Sequence, residues 1–423
     1  MQTCLIKNAH VIDPSQGLDR TADILIEDGK IKKIGEIPAE AGSVIDACGL
    51  AAAPGLVDMH VHLRDPGQTQ KEDILSGCRA AAAGGVTSLL AMPNTSPTVD
   101  SGETVRYILN KAKEAKARVY VAASITKGLK SEELCDLREL HDAGAVALTD
   151  DGRPVVNTKF MARAMAQAPT LHMTVVAHCE DLFLADGGII NEGEISLRLG
   201  VKGIPAAAED AGTAREIAIA AAYGVPIHIC HVSTETSVAL IRDAKRRGVM
   251  VTAETAPHYF TFTQDALLKR DADYRMNPPL RTERDREAVI QGLIDGTLDA
   301  VATDHAPHTP LDKADFEKAP NGSIGMETSL SAALTFLVHT GRLRLGEVIE
   351  KMSCAPARIL GIDAGTLKAG APADLVLFDP DERYMVDPDK LHGKSKNTPF
   401  KGMELKGKVK MTILGGNVVY EDR

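Results

Sequence analysis

The 423-residue sequence has no tryptophan, and aromatic residues make up only 4% of it. Stacking on bases or sugar rings is therefore a poor basis for binding. Positive charge is also short: 48 Lys and Arg stand against 58 Asp and Glu, a formal net charge of −10. That balance removes the basic footprint of nucleic-acid binding and leaves an acidic, solubilising surface. No run reaches the roughly 18 to 20 uninterrupted apolar residues of a membrane span. The longest apolar stretch, residues 217–232, is broken by Gly224, Pro226, His228 and His231. The first residues carry one lysine and no long apolar core, so no secretory signal is expected and the expected location is cytoplasmic. Seven cysteines (Cys4, Cys48, Cys78, Cys135, Cys179, Cys230 and Cys354) form an odd set without a C-x-x-C pair. They read as reduced intracellular thiols rather than a disulfide or zinc-finger framework.

What remains, 44% hydrophobic and 25% charged residues, is the composition of an ordinary soluble globular protein. Both ends of the chain read as short strands. Asp28-Gly29 divides two alternating runs near the start, and Gly415-Gly416 divides two near the end, each a hairpin signal. The ends therefore predict one small β domain assembled from residues 1–53 and 367–423. Residues 54–366 have a different texture. Eight apolar runs (GLVDMHVHL, VTSLLAMP, RVYVAAS, AVALTD, TVVAHCE, PIHICHV, VMVTAE and DAVATDH) alternate with helical stretches that open on Ser, Thr or Asp and close on Gly. This pattern predicts an α/β fold of the TIM-like (β/α)8 type. A doubly wound sheet fits less well, because no G-x-G-x-x-G opens a helix after the first run.

A parallel barrel places its chemistry at the carboxyl ends of its strands. The first strand ends His60-Val61-His62-Leu63-Arg64, where alternation puts both imidazoles on one face and lets Arg64 follow on the same side. The fourth ends Asp150-Asp151-Gly152, the fifth His178-Cys179-Glu180, the sixth Cys230-His231 and the eighth Asp304-His305. Singly, each has an ordinary structural explanation, such as a helix cap or a packed histidine. Together they supply nitrogen and oxygen ligands for two divalent ions, and a set without thiolate suits zinc. On the sixth strand, alternation assigns His231 to the metal and leaves His228 and Cys230 to packing. His10, His141, His172, His339 and His392 lie outside any strand-end cluster.

The motifs HVHLRDPG, MPNT, TDDG, HCED, HICHVST, RMNPPLR, TDHAPH and GMET, together with GTLKAGAPADLVLFDP, span nearly the whole chain. In these the sequence resembles the class I dihydroorotases of the metal-dependent amidohydrolase superfamily. The resemblance implies a distorted barrel beside a composite β-sandwich from both termini. It implies that His60 and His62 hold one ion, that His178 and His231 hold a second, and that an aspartate after the fourth strand bridges them. Hydantoinases, dihydropyrimidinases and allantoinases use a carbamylated lysine as this bridge. No lysine stands in AVALTDDG, and alignment favours Asp151 over Asp150, a choice that periodicity leaves open. Asp304 matches the catalytic aspartate, which also touches the first metal. Arg64, Asn94, Asn277 and His308 match positions that hold the substrate carboxylate and ring amide, and Gly322 matches a backbone contact. Asn321 and Tyr259 depart from the residues common among relatives.

The reaction implied is the reversible cyclisation of N-carbamoyl-L-aspartate to L-dihydroorotate in pyrimidine synthesis, with two zinc ions per chain. A homodimer is expected, with aspartate transcarbamoylase as the candidate protein partner and neither nucleic acid nor membrane as a partner. The rivals are another cyclic-amide hydrolase and an inactive scaffold for the transcarbamoylase. The polar segment 307–325, long for a βα connection, is expected to act as a lid over the site.

Overall fold

The computed structural model describes residues 3–38 and 42–422. All eight apolar runs of the middle segment form strands: Leu56–Val61, Val86–Ala91, Arg118–Ala123, Ala145–Leu148, Thr174–Ala177, Ile227–Ile229, Val251–Thr255 and Ala300–Val301. They pair in parallel and in sequence order. The ring is drawn together between its first and last members by a bridge from Val61 to His305 and by the His62 N–H donating to the His305 carbonyl at 2.8 Å. The outer faces of the strands pack on helices, and small side chains fill the inside. Met59, Leu90, Ala122, Ala147, Val176 and Ala300, from six different strands, form one buried cluster with Cys230 and Ala302, which directly follow the sixth and eighth strands. Only inward-pointing residues of a closed or nearly closed sheet can meet in this way.

Local chemistry sets the helix starts. Asp73, Ser101, Thr234 and Thr282 cap Ile74–Ala83, Gly102–Lys111, Glu235–Arg246 and Glu283–Ile294 by accepting from a backbone N–H in the first turn. The stretch SEELCDLRELHDAG, residues 131–144, reads as one helix in the sequence and is shorter in the structure. Residues 131–136 do not join Leu137–Asp142, because the Asp136 side chain caps at Arg138 and Glu139 while the Cys135 N–H is taken by Ile125. An excursion between the fifth and sixth strands, with short helices Leu182–Ala185 and Glu194–Leu199 and a two-stranded pair, has no counterpart in the sequence reading.

The terminal segments build a second sheet of eight strands. Ala51–Pro54 pairs with Leu375–Met385 in antiparallel register, Val376 opposite Ala53, so the two ends of the chain share one ladder. Both expected hairpins are present, Glu27 opposite Lys30 and Leu414 opposite Asn417. Among the described residues no helix is long and apolar enough to cross a membrane.

Candidate active site

At the carboxyl end of the barrel lies a cavity of about 250 Å³. It is lined by His62, Arg64, Asn94, Asp151, His178, His231, Asn277, Asp304, His308 and Gly322, with Gly152, Ala306 and Asn321 between them. His60 stands directly behind this lining and is fully buried. The structure thus brings together every residue singled out in the sequence as ligand, catalyst or substrate contact. Asp150 takes another path. Its carboxylate accepts from the Ile125 N–H at 2.8 Å, the Thr126 N–H at 3.0 Å and the Thr126 hydroxyl, tethering the third strand end to the fourth.

Asp151 is the hub. Its Oδ1 lies 3.2 Å from His60 Nε2, 3.6 Å from His178 Nδ1 and 3.7 Å from His231 Nε2, and its Oδ2 lies 3.4 Å from His62 Nε2. Asp304 Oδ1 faces the first pair, 3.1 Å from His62 Nε2 and 3.6 Å from His60 Nε2. Two potential ligand groups therefore share one carboxylate: His60, His62 and Asp151, then Asp151, His178 and His231.

The outer nitrogens fix which ring atoms face inward. His60 Nδ1 donates to Glu254 Oε1 at 3.0 Å, His62 Nδ1 to Asn94 Oδ1 at 2.8 Å, and His178 Nε2 to Glu180 Oε2 at 3.3 Å. Each proton spent outward leaves a lone pair aimed at Asp151. His60 Nε2 and Asp151 Oδ1 are buried and lack an aligned hydrogen-bond partner. His178 Nδ1 and His231 Nε2 converge to 2.9 Å. Converging lone pairs around a carboxylate need a cation between them.

The electrostatics agree. Against the burial that would raise it, the charge of His60 and hydrogen bonds with His178 and His231 hold Asp151 well below the usual carboxylate range. Asp304 is likewise held low despite burial, chiefly by the His62 hydrogen bond and the charge of His60. Burial opposes a charged His178, yet its contacts with Asp151 and Glu180 raise it to about 10, so a proton occupies its Nδ1 unless a cation displaces it. The residues fit divalent ions, and imidazole and carboxylate donors suit zinc.

Strand-end geometry aims these groups at some conformational cost. Arg64, His231 and Asp304 all adopt left-handed backbone angles, with φ of +60°, +33° and +48°. Such angles in non-glycine residues concentrate where function requires a particular side-chain direction. The buried Arg64 guanidinium donates from Nε to the Pro307 carbonyl at 3.2 Å. His308 Nε2 lies 2.9 Å from the Asn321 carbonyl and must donate to it. His308 is neutral, pushed down to about 2 by burial and by the charge of Arg64. Asn277 gives its amide hydrogens to Glu180 at 3.1 and 3.2 Å, leaving its Oδ1 as the uncommitted atom.

Gly322 lines the same cavity. Its N–H is already committed to the Arg275 carbonyl at 2.9 Å. What the glycine contributes is space, at φ +131°, because a Cβ there would stand 2.7 Å from that of Ala306 and 3.0 Å from His308 Nε2. The two departures are accommodated within the packing. Tyr259 donates its hydroxyl to the Pro278 carbonyl at 2.6 Å, and Asn321 Oδ1 accepts from Arg275 Nη2 at 3.1 Å.

Sequence reasoning missed Glu254 and Glu180. Glu254 lies wholly buried in the seventh strand, held down to about 2 against burial by His228 and His60. His228, read as a packing residue, supports it at 3.3 Å and is itself held by Thr252 Oγ1 at 2.8 Å. A carboxylate inside an apolar strand was the available signal, since burying it is costly unless it is paired. Cys230 was also read as packing. Its sulfur lies within 4.8 Å of ligand atoms of His60 and His231, and burial pushes its thiol up, so it is present there as the neutral thiol.

A family model described as dihydro-orotase-like matches residues 49–237. The dihydroorotase of Citrifermentans bemidjiense is 52% identical over 421 residues, covering 99% of each chain. That of Acetivibrio thermocellus is 50% identical over 422 residues, again covering 99% of each. Among solved structures, an L-hydantoinase (dihydropyrimidinase) from Arthrobacter aurescens superposes with a TM-score of 0.90 at 28% identity, covering 100% of this chain and 96% of that one. A dihydropyrimidinase from Brevibacillus agri gives 0.87 at 26% identity, covering 99% and 95%. The sequence identity over the full length, with the barrel and its ring of histidines and aspartates, establishes that this chain belongs to the dihydroorotase family of amidohydrolases.

Proposed function

We propose that the chain catalyses the reversible cyclisation of N-carbamoyl-L-aspartate to L-dihydroorotate, with His60, His62, Asp151, His178, His231 and Asp304 holding two zinc ions. The observation that carries this reading is the convergence of four histidines on the Asp151 carboxylate beside the buried guanidinium of Arg64. A divalent ion at such a site supplies a nucleophilic water at neutral pH and positive charge against the carbonyl oxygen.

The chain's own groups do the rest. In ring opening, Asp304 accepts a proton and returns it to the departing ring nitrogen, and in closure it runs the same transfer backwards. Its carboxylate is held in the ionised form, the form that can take up a proton. Arg64 offers a planar fork to the substrate carboxylate. Asn94, whose oxygen is turned to His62, keeps its amide hydrogens for the same group, and Asn277 Oδ1 accepts a ring N–H.

Hydantoinase-type chemistry is disfavoured by the bridge. No lysine is among the residues lining the cavity, and Lys159 is exposed in the helix Thr158–Gln167. The test is turnover of dihydroorotate, hydantoin and allantoin with metal analysis of the same sample. Turnover of dihydroorotate alone, with about two zinc ions per chain, is the expected result; preference for hydantoin or allantoin overturns the assignment.

A further inference from the structure

One stretch of the C-terminal segment, residues 391–400, crosses the loops that follow the first and eighth barrel strands. At the first loop, the Lys394 N–H donates to both Glu72 oxygens at 3.2 and 3.1 Å, and Ser395 Oγ donates to the Lys71 carbonyl at 2.6 Å. At the eighth, Asn397 is buried and its side chain is fully engaged. Nδ2 donates to the Ala306 carbonyl at 3.2 Å and to the Gly322 carbonyl at 3.1 Å, while Oδ1 accepts from the His308 N–H at 3.1 Å. The Asn397 carbonyl also accepts from the Ile324 N–H at 3.0 Å.

These four bonds join the two arms of the segment 307–325. Ala306 and His308 stand at its start and Gly322 and Ile324 at its end, where the Ala306 N–H also donates to the Ser323 carbonyl at 2.8 Å. The bonds to Ala306 and His308 flank Pro307. Its carbonyl is the acceptor that aims Arg64 Nε. A planar amide with two donors and an acceptor suits this place. Alanine would strand two carbonyls and an N–H in a buried position, and aspartate would set an oxygen against the carbonyls of Ala306 and Gly322.

We propose that Asn397 is a positioning residue for substrate binding, holding His308, the Gly322 turn and, through Pro307, the Arg64 fork at the cavity wall. The inference rests on the reading that this wall receives the carboxylate of dihydroorotate. It also narrows the expected lid. With both arms held by Asn397, any opening of 307–325 is confined to the part between them, around residues 309–320, where Lys313 donates to the Ala272, Arg275 and Pro320 carbonyls and Phe316 is buried.

None of these bonds reaches a histidine of the proposed metal centre, so binding is affected far more than metal content. The experiment compares wild type, Asn397→Ala, Asn397→Asp and Ser395→Ala in dihydroorotate ring opening. Metal content and hydrogen exchange at the His308 and Ile324 amides are measured on each. Misplacing a binding group by about 1 Å costs up to about 10²-fold, so KM is expected to rise about 10- to 100-fold in both Asn397 variants. Their kcat should stay within about threefold of wild type, with unchanged metal and faster exchange at those two amides. Ser395→Ala, which removes a bond of the same stretch at the other loop, should leave KM unchanged. An unchanged KM in a folded, metal-loaded Asn397→Ala protein overturns the inference. So does an equal rise in Ser395→Ala, or failure of both Asn397 variants to fold, which would make Asn397 a folding residue only. A wild type that does not turn over dihydroorotate overturns instead the dihydroorotase reading, and this inference with it.

Discussion

The histidine pair of the first strand and the pair supplied by the fifth and sixth strands face the same Asp151 but are supported differently. Behind the first pair, Glu254 and Asn94 each receive a ring N–H, and Glu254 is itself braced by His228, which Thr252 holds in turn. Behind the second, Glu180 holds His178 and also holds the substrate-side Asn277, while His231 Nδ1 is buried without a hydrogen-bond partner among the described residues. The first half is fixed from inside the barrel. The second is tied to the wall that meets the substrate. Outer partners of metal-bound histidines contribute about 10- to 100-fold in metal affinity, so the two halves should differ in how firmly they hold an ion.

The largest effect should come from removing what the halves share. Asp151→Ala takes the common carboxylate from both groups, and activity should fall by at least the roughly 10⁴-fold expected for losing an essential group, with metal content reduced most at the His178–His231 half. Asp150→Ala should instead lower stability, since three bonds to Ile125 and Thr126 vanish, while retaining more metal. Metal analysis of the two purified variants decides the matter. Equal or reversed losses would show that Asp151 is not the bridge.

Asp304 stands on the first half only, and its replacement separates proton transfer from metal holding. In Asp304→Asn the other five ligands remain, so most of the metal should be kept while the rate drops by about 10² to 10⁴. Wild-type turnover in a metal-replete Asn variant would falsify the role. On the substrate wall, Arg64→Met keeps the stem but removes the fork. Dihydroorotate binding should weaken by about 2 to 5 kcal/mol with metal nearly unchanged. Isothermal titration of the variant checks this, and wild-type affinity would place the carboxylate elsewhere.

The same comparison explains what the sequence could reveal. A barrel converts chain position into spatial position at one place above all, the strand end, and His60, His62, Asp151, His178, His231 and Asp304 all stand there. Alternation and strand count therefore mark the strand-end residues as candidates, Asp150 among them, and the family resemblance supplies their individual roles. Choosing Asp151 over Asp150 needed the tertiary structure or an alignment, because a turn has no periodicity. Glu254 reaches His60 across 194 positions of sequence, and Asn397 reaches His308 across 89. No local pattern announces contacts of that kind. The helix read over 131–144 shrank because a side-chain cap at Asp136 competed with propensity and won.

The smallest effects should come from the two outer carboxylates, and they sharpen the contrast most. Glu254 accepts from two histidines at once, His60 and His228. In Glu254→Gln one oxygen becomes an NH2 group, so one of these rings faces a donor. If that ring is His60, its proton moves to Nε2 and the lone pair aimed at the centre is lost. Glu254→Gln should therefore weaken ion binding at the first half by about 10- to 100-fold with little change in KM at saturating metal. Glu180→Gln disturbs His178 and Asn277 together, so it should weaken the second half by a similar or smaller factor and also raise KM about three- to tenfold. Chelator competition followed by substrate titration at saturating zinc reads both quantities on the same samples. If KM moves equally in the two variants, the second half has no special tie to the substrate wall, and the difference in support behind the two histidine pairs is one of packing alone.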